Sequence, residues 1–87
     1  MKTVSKYTIK SGWNTVTAPA GADWIGAYWS SAGVTVIAIV ETTESNDTYD
    51  LWVASTLERL PEGADYYVGT AALIGKPTQH VFSRVII

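Results

Sequence analysis

Apolar and polar residues alternate in short runs along this chain, a pattern that predicts β-strands rather than helices. Residues 34–41 are apolar almost throughout and rich in β-branched side chains, which favours a strand at the centre of a sheet. The third predicted strand carries bulk on both faces, with Trp24, Gly26 and Tyr28 expected on one and Ile25, Ala27 and Trp29 on the other. The pattern predicts six or seven short strands, at residues 2–10, 13–17, 24–30, 34–41, 48–55, 66–73 and 78–87.

Turn signals separate these strands. Ser11-Gly12 predicts a hairpin between the first two strands, and the polar residues 41–47 predict an exposed hairpin tip. Pro19 and Pro61 each begin a Pro-x-Gly-Ala-Asp-aromatic segment, which suits a type I turn with Gly at its last position. The two halves do not align beyond these segments, which favours reuse of a turn over a duplication. Residues 56–60 are ambiguous and are compatible with one helical turn.

The fold class that follows is all-β, a small antiparallel β-sandwich or barrel formed by residues 1–87 as a single domain. The chain has 87 residues, enough for one modest core, and it includes four Trp and five Tyr. So many large rings in a small domain predict that some lie at a surface, an oligomer interface or a ligand site.

Charge and composition exclude several classes of function. The net charge of −2 argues against general nucleic-acid binding, and the absence of cysteine excludes disulfides and thiolate metal sites. The longest apolar run, residues 36–40, is too short to span a bilayer, and residues 1–6 lack the apolar core of a signal peptide. We therefore expect no membrane association and a cytoplasmic location.

The inventory of catalytic groups is thin. His80 is the single histidine, and neither a nucleophile elbow nor a glycine-rich phosphate loop is present. The sequence predicts a non-enzymatic protein with no catalytic residue, no metal and no cofactor; the alternative is a small hydrolase centred on His80.

A ligand site is predicted on the last strand, where alternation places His80, Phe82 and Arg84 on one face. An imidazole, a ring and a guanidinium suit an anion or a nucleotide, whereas the alternative is that His80 and Arg84 pair with nearby carboxylates at a sheet edge. Arg84 and Lys76 are expected to neutralise phosphate, Thr70 and His80 to donate or accept hydrogen bonds, and Tyr66, Tyr67 or Trp29 to stack on a base. The predicted ligand-binding residues are Trp29, Tyr66, Tyr67, Thr70, Lys76, His80 and Arg84.

Several segments together resemble a family of short, uncharacterised phage proteins over nearly the whole chain. They are Lys6-Tyr7-Thr8-Ile9, Ala18-Pro19-Ala20-Gly21-Ala22, Leu51-Trp52-Val53, Leu60-Pro61, Tyr67-Val68-Gly69-Thr70 and His80-Val81-Phe82. Residues 44–47 and the tail after Phe82 depart from that pattern.

The resemblance implies an origin rather than an activity. Small phage proteins of this style act by binding, and the function expected here is that of a homo-oligomeric sponge. It would sequester a nucleotide-derived host immune signal in an intersubunit pocket, in the cytoplasm of the host. The alternative is a phage protein that binds and inhibits a host protein, or a small virion component. The apolar residues 85–87 and the apolar strand faces are the expected oligomer contacts.

Overall fold

Seven antiparallel strands form the regular structure of residues 1–84, the part of the chain that the computed structural model describes. The strands are β1 Lys2–Ile9, β2 Gly12–Pro19, β3 Asp23–Ser30, β4 Gly33–Glu41, β5 Asn46–Ser55, β6 Tyr66–Ala71 and β7 Gln79–Ser83. They lie in two sheets, of order β1-β4-β3 and β2-β5-β7-β6. The predicted all-β fold is confirmed, and β4 is the central strand of its sheet.

The predicted hairpins at Ser11-Gly12 and at residues 41–47 are wrong, because the chain changes sheets at both places. β1 pairs with β4, whereas β2 pairs with β5. At the first corner Gly12 has a φ of 87°, in the left-handed region that favours glycine. The Asn14 side chain fastens this corner, since Nδ2 donates to the carbonyl of Lys10 at 2.7 Å and Oδ1 accepts from the Lys10 N–H at 2.9 Å.

The core lies between the two sheets and is built from the residues of both sheets that face inwards. Val36, Leu51 and Val81 are completely buried. Trp24 bridges the sheets, with its ring 5.6 Å from that of Tyr7 and 5.5 Å from that of Tyr49 in edge-on contacts. Aromatic pairs of this geometry add roughly 0.5–1.5 kcal/mol each beyond the area that they bury.

A bulge between Trp24 and Gly26 corrects the predicted faces of the third strand. The extra residue shifts the alternation, so that Trp24, Ala27 and Trp29 all pack against the core while Tyr28 is exposed. A strict period of two therefore assigns Trp24 to the wrong side relative to Ala27 and Trp29. β3 is an edge strand of the three-stranded sheet.

The two Pro-x-Gly turns are shifted by one residue from the prediction. The Ala64 N–H donates to the carbonyl of Pro61 at 3.2 Å, so Pro61 is the first residue of its turn and Gly63 the third. Gly63 has a φ of 96° and Gly21 a φ of 78°. A positive φ at the third position excludes a type I turn and explains why glycine is needed there.

Residues 85–87, predicted to end the last strand, lie outside the described residues. No helix within residues 1–84 is long and apolar enough to cross a membrane.

Candidate ligand-binding site

The outer face of the four-stranded sheet carries a row of four aromatic side chains, one from each strand. The cross-strand register places Trp13 opposite Trp52, Trp52 opposite Phe82, and Phe82 opposite Tyr67. The rings of Trp13 and Trp52 are 5.3 Å apart and those of Tyr67 and Phe82 are 5.7 Å apart, both in edge-on contact. We call these four residues the aromatic row. It faces away from the core, because the alternate residues of the same strands are the buried ones.

A hollow of about 180 Å³ lies beside the aromatic row, under the segment that follows β5. Ala54, Ser55, His80 and Phe82 contribute from the strands, and residues 56–58 together with Leu60 contribute from the segment. This segment forms a turn without a helix, held where the Ser55 N–H donates to Oε2 of Glu58 at 3.2 Å. The segment thus covers part of an otherwise open sheet face and gives it a concave site.

A chain of hydrogen bonds starts at the wall of this hollow, where Thr56 and His80 line it, and fixes the His80 ring. His80 Nε2 is 2.8 Å from Oγ1 of Thr56, and His80 Nδ1 is 3.1 Å from Oγ1 of Thr70. The chain continues from Thr70 to the hydroxyl of Tyr67 at 2.5 Å. Because one nitrogen of a neutral imidazole donates and the other accepts, the two threonine hydroxyls take opposite roles at the ring. We call Thr56, His80, Thr70 and Tyr67 the hydroxyl–imidazole chain.

Arg84 lies on the same face, on the far side of the aromatic row from His80. Its Nε is 3.3 Å from Oδ2 of Asp50, and its guanidinium lies 4.5 Å from the centre of the Trp13 ring. The guanidinium also covers Gly63, where a Cβ would come within 2.6 Å of Nη1. Arg84 is four positions beyond His80 in the chain, which corresponds to about 13 Å along a strand. Arg84 is therefore not a wall of the hollow.

The structure brings together some of the residues predicted from the sequence and separates others. Tyr67, Thr70 and His80 are joined in one hydrogen-bonded chain. Tyr66 is exposed, and alternation directs it to the opposite face of β6 from Tyr67.

Trp29 and Lys76 meet each other away from this face. The Trp29 indole donates to the carbonyl of Pro77 at 3.0 Å, its ring packs against the core, and Lys76 Nζ lies 5.7 Å from the ring centre. Trp29 is thus used for packing, and its ring does not join the aromatic row.

Sequence reasoning misses Trp13, Trp52 and Thr56 as members of this surface. A hairpin between the first two strands would leave Trp13 as a packing residue, and only the pairing with β5 brings it against Trp52. Thr56 reaches His80 because the segment after β5 folds back over the sheet. Within residues 1–84 no group of three or more His, Asp or Glu side chains is arranged to hold a metal ion.

Residues 1–86 match a protein family described as a domain of unknown function, DUF7352. The chain belongs to the DUF7352 family. The match includes all seven strands, and with them the aromatic row and the hydroxyl–imidazole chain of this DUF7352 domain. No curated protein and no solved structure matches this DUF7352 domain.

Proposed function

We propose that this protein is a non-enzymatic binding protein and that its ligand is held in the hollow beside the aromatic row. The hydroxyl–imidazole chain carries this proposal, because it fixes the ring of His80 at the wall of a concave site with both nitrogens hydrogen-bonded. A pre-oriented ring and an apolar floor are what a small planar ligand needs, since little side-chain freedom is lost on binding. Sequestering such a ligand requires affinity and no chemical step.

The chemistry of the lining favours a ligand with an uncharged planar ring inside the hollow. Phe82 offers a ring edge or face, while the hydroxyl of Thr56 offers a polar atom for exocyclic groups. Glu58 also lines the hollow and disfavours an anionic group within it. A nucleotide that places its base here must therefore carry its phosphates elsewhere.

Arg84 is a cation on this face that suits a phosphate. It is half-exposed and pairs with Asp50 through Nε, and its backbone lies about 13 Å along the strand direction from that of His80, so a ligand in the hollow has to extend beyond its base to reach it. ADP-ribose-derived nucleotides carry a diphosphate and a second ribose beyond the base, and cyclic dinucleotides carry a second phosphate across the ring, so both classes extend further from a bound base than a mononucleotide does. The specific form of the proposal is a sponge that sequesters a nucleotide-derived host immune signal, in the host cytoplasm if the chain is phage-encoded.

Calorimetry against a panel of cyclic dinucleotides and ADP-ribose derivatives tests this function. We expect at least one to bind, and we expect His80→Ala to weaken that binding by about tenfold, because the ring lines the hollow and holds the Thr56 hydroxyl in place. Thr17→Val is the matched control, since Thr17 is exposed on β2 of the same sheet and does not line the hollow. Silence of the wild type across the panel would refute the nucleotide proposal.

One observation favours the alternative, a protein that inhibits a host protein by docking against it. Leu57 is 99% exposed and has a φ of 71°, a left-handed conformation that costs a branched residue about 1 kcal/mol or more. Ile74, in the neighbouring loop between β6 and β7, is 101% exposed. Two loops at one end of the sheet therefore present apolar side chains that contribute nothing to the fold of the single chain.

Replacing Leu57 by Gly is expected to raise the free energy of unfolding by about 0.5–1 kcal/mol, since glycine adopts a positive φ without a Cβ clash. Leu57→Ala keeps the clash and serves as the matched control. Chemical denaturation measures both effects. If the docking function is right, both variants lose a host partner that the wild type retains in stoichiometric amount, and retention by both would contradict it.

A further inference from the structure

The three-stranded sheet has a second apolar face that no other part of residues 1–84 covers. On its central strand β4, Val36, Ala38 and Val40 point into the core. The residues between them, Ile37 and Ile39, point to the opposite, outer face. Strands that are apolar on both sides are typical of sheets covered on both faces. The four-stranded sheet covers only the inner face, so the pattern of β4 indicates a second cover.

The neighbouring strands extend this outer surface and give its two edges opposite charges. Register places Val4 of β1 opposite Ile39, and Val4 is 62% exposed. Lys2 and Lys6 flank Val4 on the β1 edge, whereas Asp23 lies opposite Ile39 on the β3 edge. None of these three charges forms an ion pair within the described chain, while Glu41 is held by the N-terminal ammonium, which lowers the pKa of its carboxyl group.

We propose that a second copy of this chain covers the outer face of the three-stranded sheet, related by a two-fold axis parallel to the strands. This rotation turns the face over and exchanges its left and right edges, so β1 of one protomer lies over β3 of its partner. Asp23 then faces Val4 of the partner subunit and lies between its two lysines. A two-fold axis perpendicular to the strands would instead place the lysine edge over itself, which like-charge repulsion disfavours.

The size of the face sets the strength to be expected. Three strands about 4.8 Å apart and eight or nine residues long offer a surface of roughly 400 Å² per chain. Such an area lies in the weak class of specific interfaces, so we expect dissociation constants in the micromolar range or above. The inference is independent of the ligand proposal, and it leaves the aromatic row and the hollow of each protomer free.

Sedimentation equilibrium of the full chain from micromolar to millimolar concentration tests the proposal. Lys6→Glu and Asp23→Lys are each expected to weaken the dimer by about tenfold or more, because each creates two like-charge contacts across the two-fold axis. An equimolar mixture of the two variants is expected to associate nearly as tightly as the wild type. In that heterodimer the two substituted side chains meet with opposite charges, while the other contact keeps its native Lys6 and Asp23.

A third variant tests the apolar part of the surface. Val4→Asp is expected to abolish the dimer, whereas Thr17→Asp, an exposed change on the other sheet, is expected to leave it intact. Thermal melts of all variants show whether the protomer is folded. A wild type that stays monomeric at millimolar concentration would overturn the proposal, as would a dimer that survives Val4→Asp or a mixture no tighter than the separate variants.

Discussion

Gly69→Ala is expected to lower the free energy of unfolding by about 3 kcal/mol, as the insertion of a methyl group into a tightly packed contact does. A Cβ at Gly69 would lie 2.7 Å from the backbone N of Ala27 and 3.0 Å from two backbone atoms of Gly26. These are main-chain atoms, so relief requires β6 and β3, and with them the two sheets, to move apart. Urea unfolding monitored by tryptophan fluorescence measures the loss.

Gly75→Ala is the control for this prediction. Gly75 has a φ of 86° and nothing within 4 Å of its would-be Cβ, so it reports backbone strain without a clash. We expect a loss of about 1 kcal/mol there. Equal losses at the two glycines would show that the sheets do not approach each other as closely at Gly69 as the structure has it.

Leu51→Ala is expected to lower the free energy of unfolding by about 3 kcal/mol, because it removes apolar volume at a completely buried position. Leu51 lies on β5, between β2 and β7, and its side chain belongs to the core cluster shared by both sheets. Denaturant midpoints at constant slope give the value.

Leu60→Ala is the matched control, since Leu60 is 45% exposed in the segment beside the hollow. We expect it to cost less than about 1 kcal/mol, since surface substitutions have small effects. If both leucines cost the same, the core would not be centred where the two sheets meet at Leu51.

The strands of this fold are predictable from the sequence, because alternation and β-branched composition are local properties. Their pairing is not local. The corner at Gly12 and the loop after β4 have the composition of ordinary hairpin turns, yet each carries the chain to the other sheet. The bulge at Trp24 is equally hidden, since it depends on how β3 meets β4 and not on the composition of β3.

The same contrast between local and non-local relations applies to the candidate site. The shared face of His80, Phe82 and Arg84 follows from alternation within one strand, and the structure confirms that shared face. The contacts of Thr70 with Tyr67 and with His80 depend on a bulge in β6, which places residues three apart on the same side. Trp29 is separated from this surface because β3 belongs to the other sheet. The sequence of β3 alone does not show to which sheet the strand belongs.

Three connections cross between the sheets, from β1 to β2, from β2 to β3 and from β4 to β5, and they have a consequence for how the chain folds. β2 comes from the first half of the chain and completes a sheet whose other three strands come from the second half. The contacts that stabilise the native state therefore join residues far apart in sequence, which predicts slow, all-or-none folding on a scale of roughly milliseconds to seconds. During synthesis, β2 remains exposed and unpaired until β5, the strand with which it pairs, has emerged.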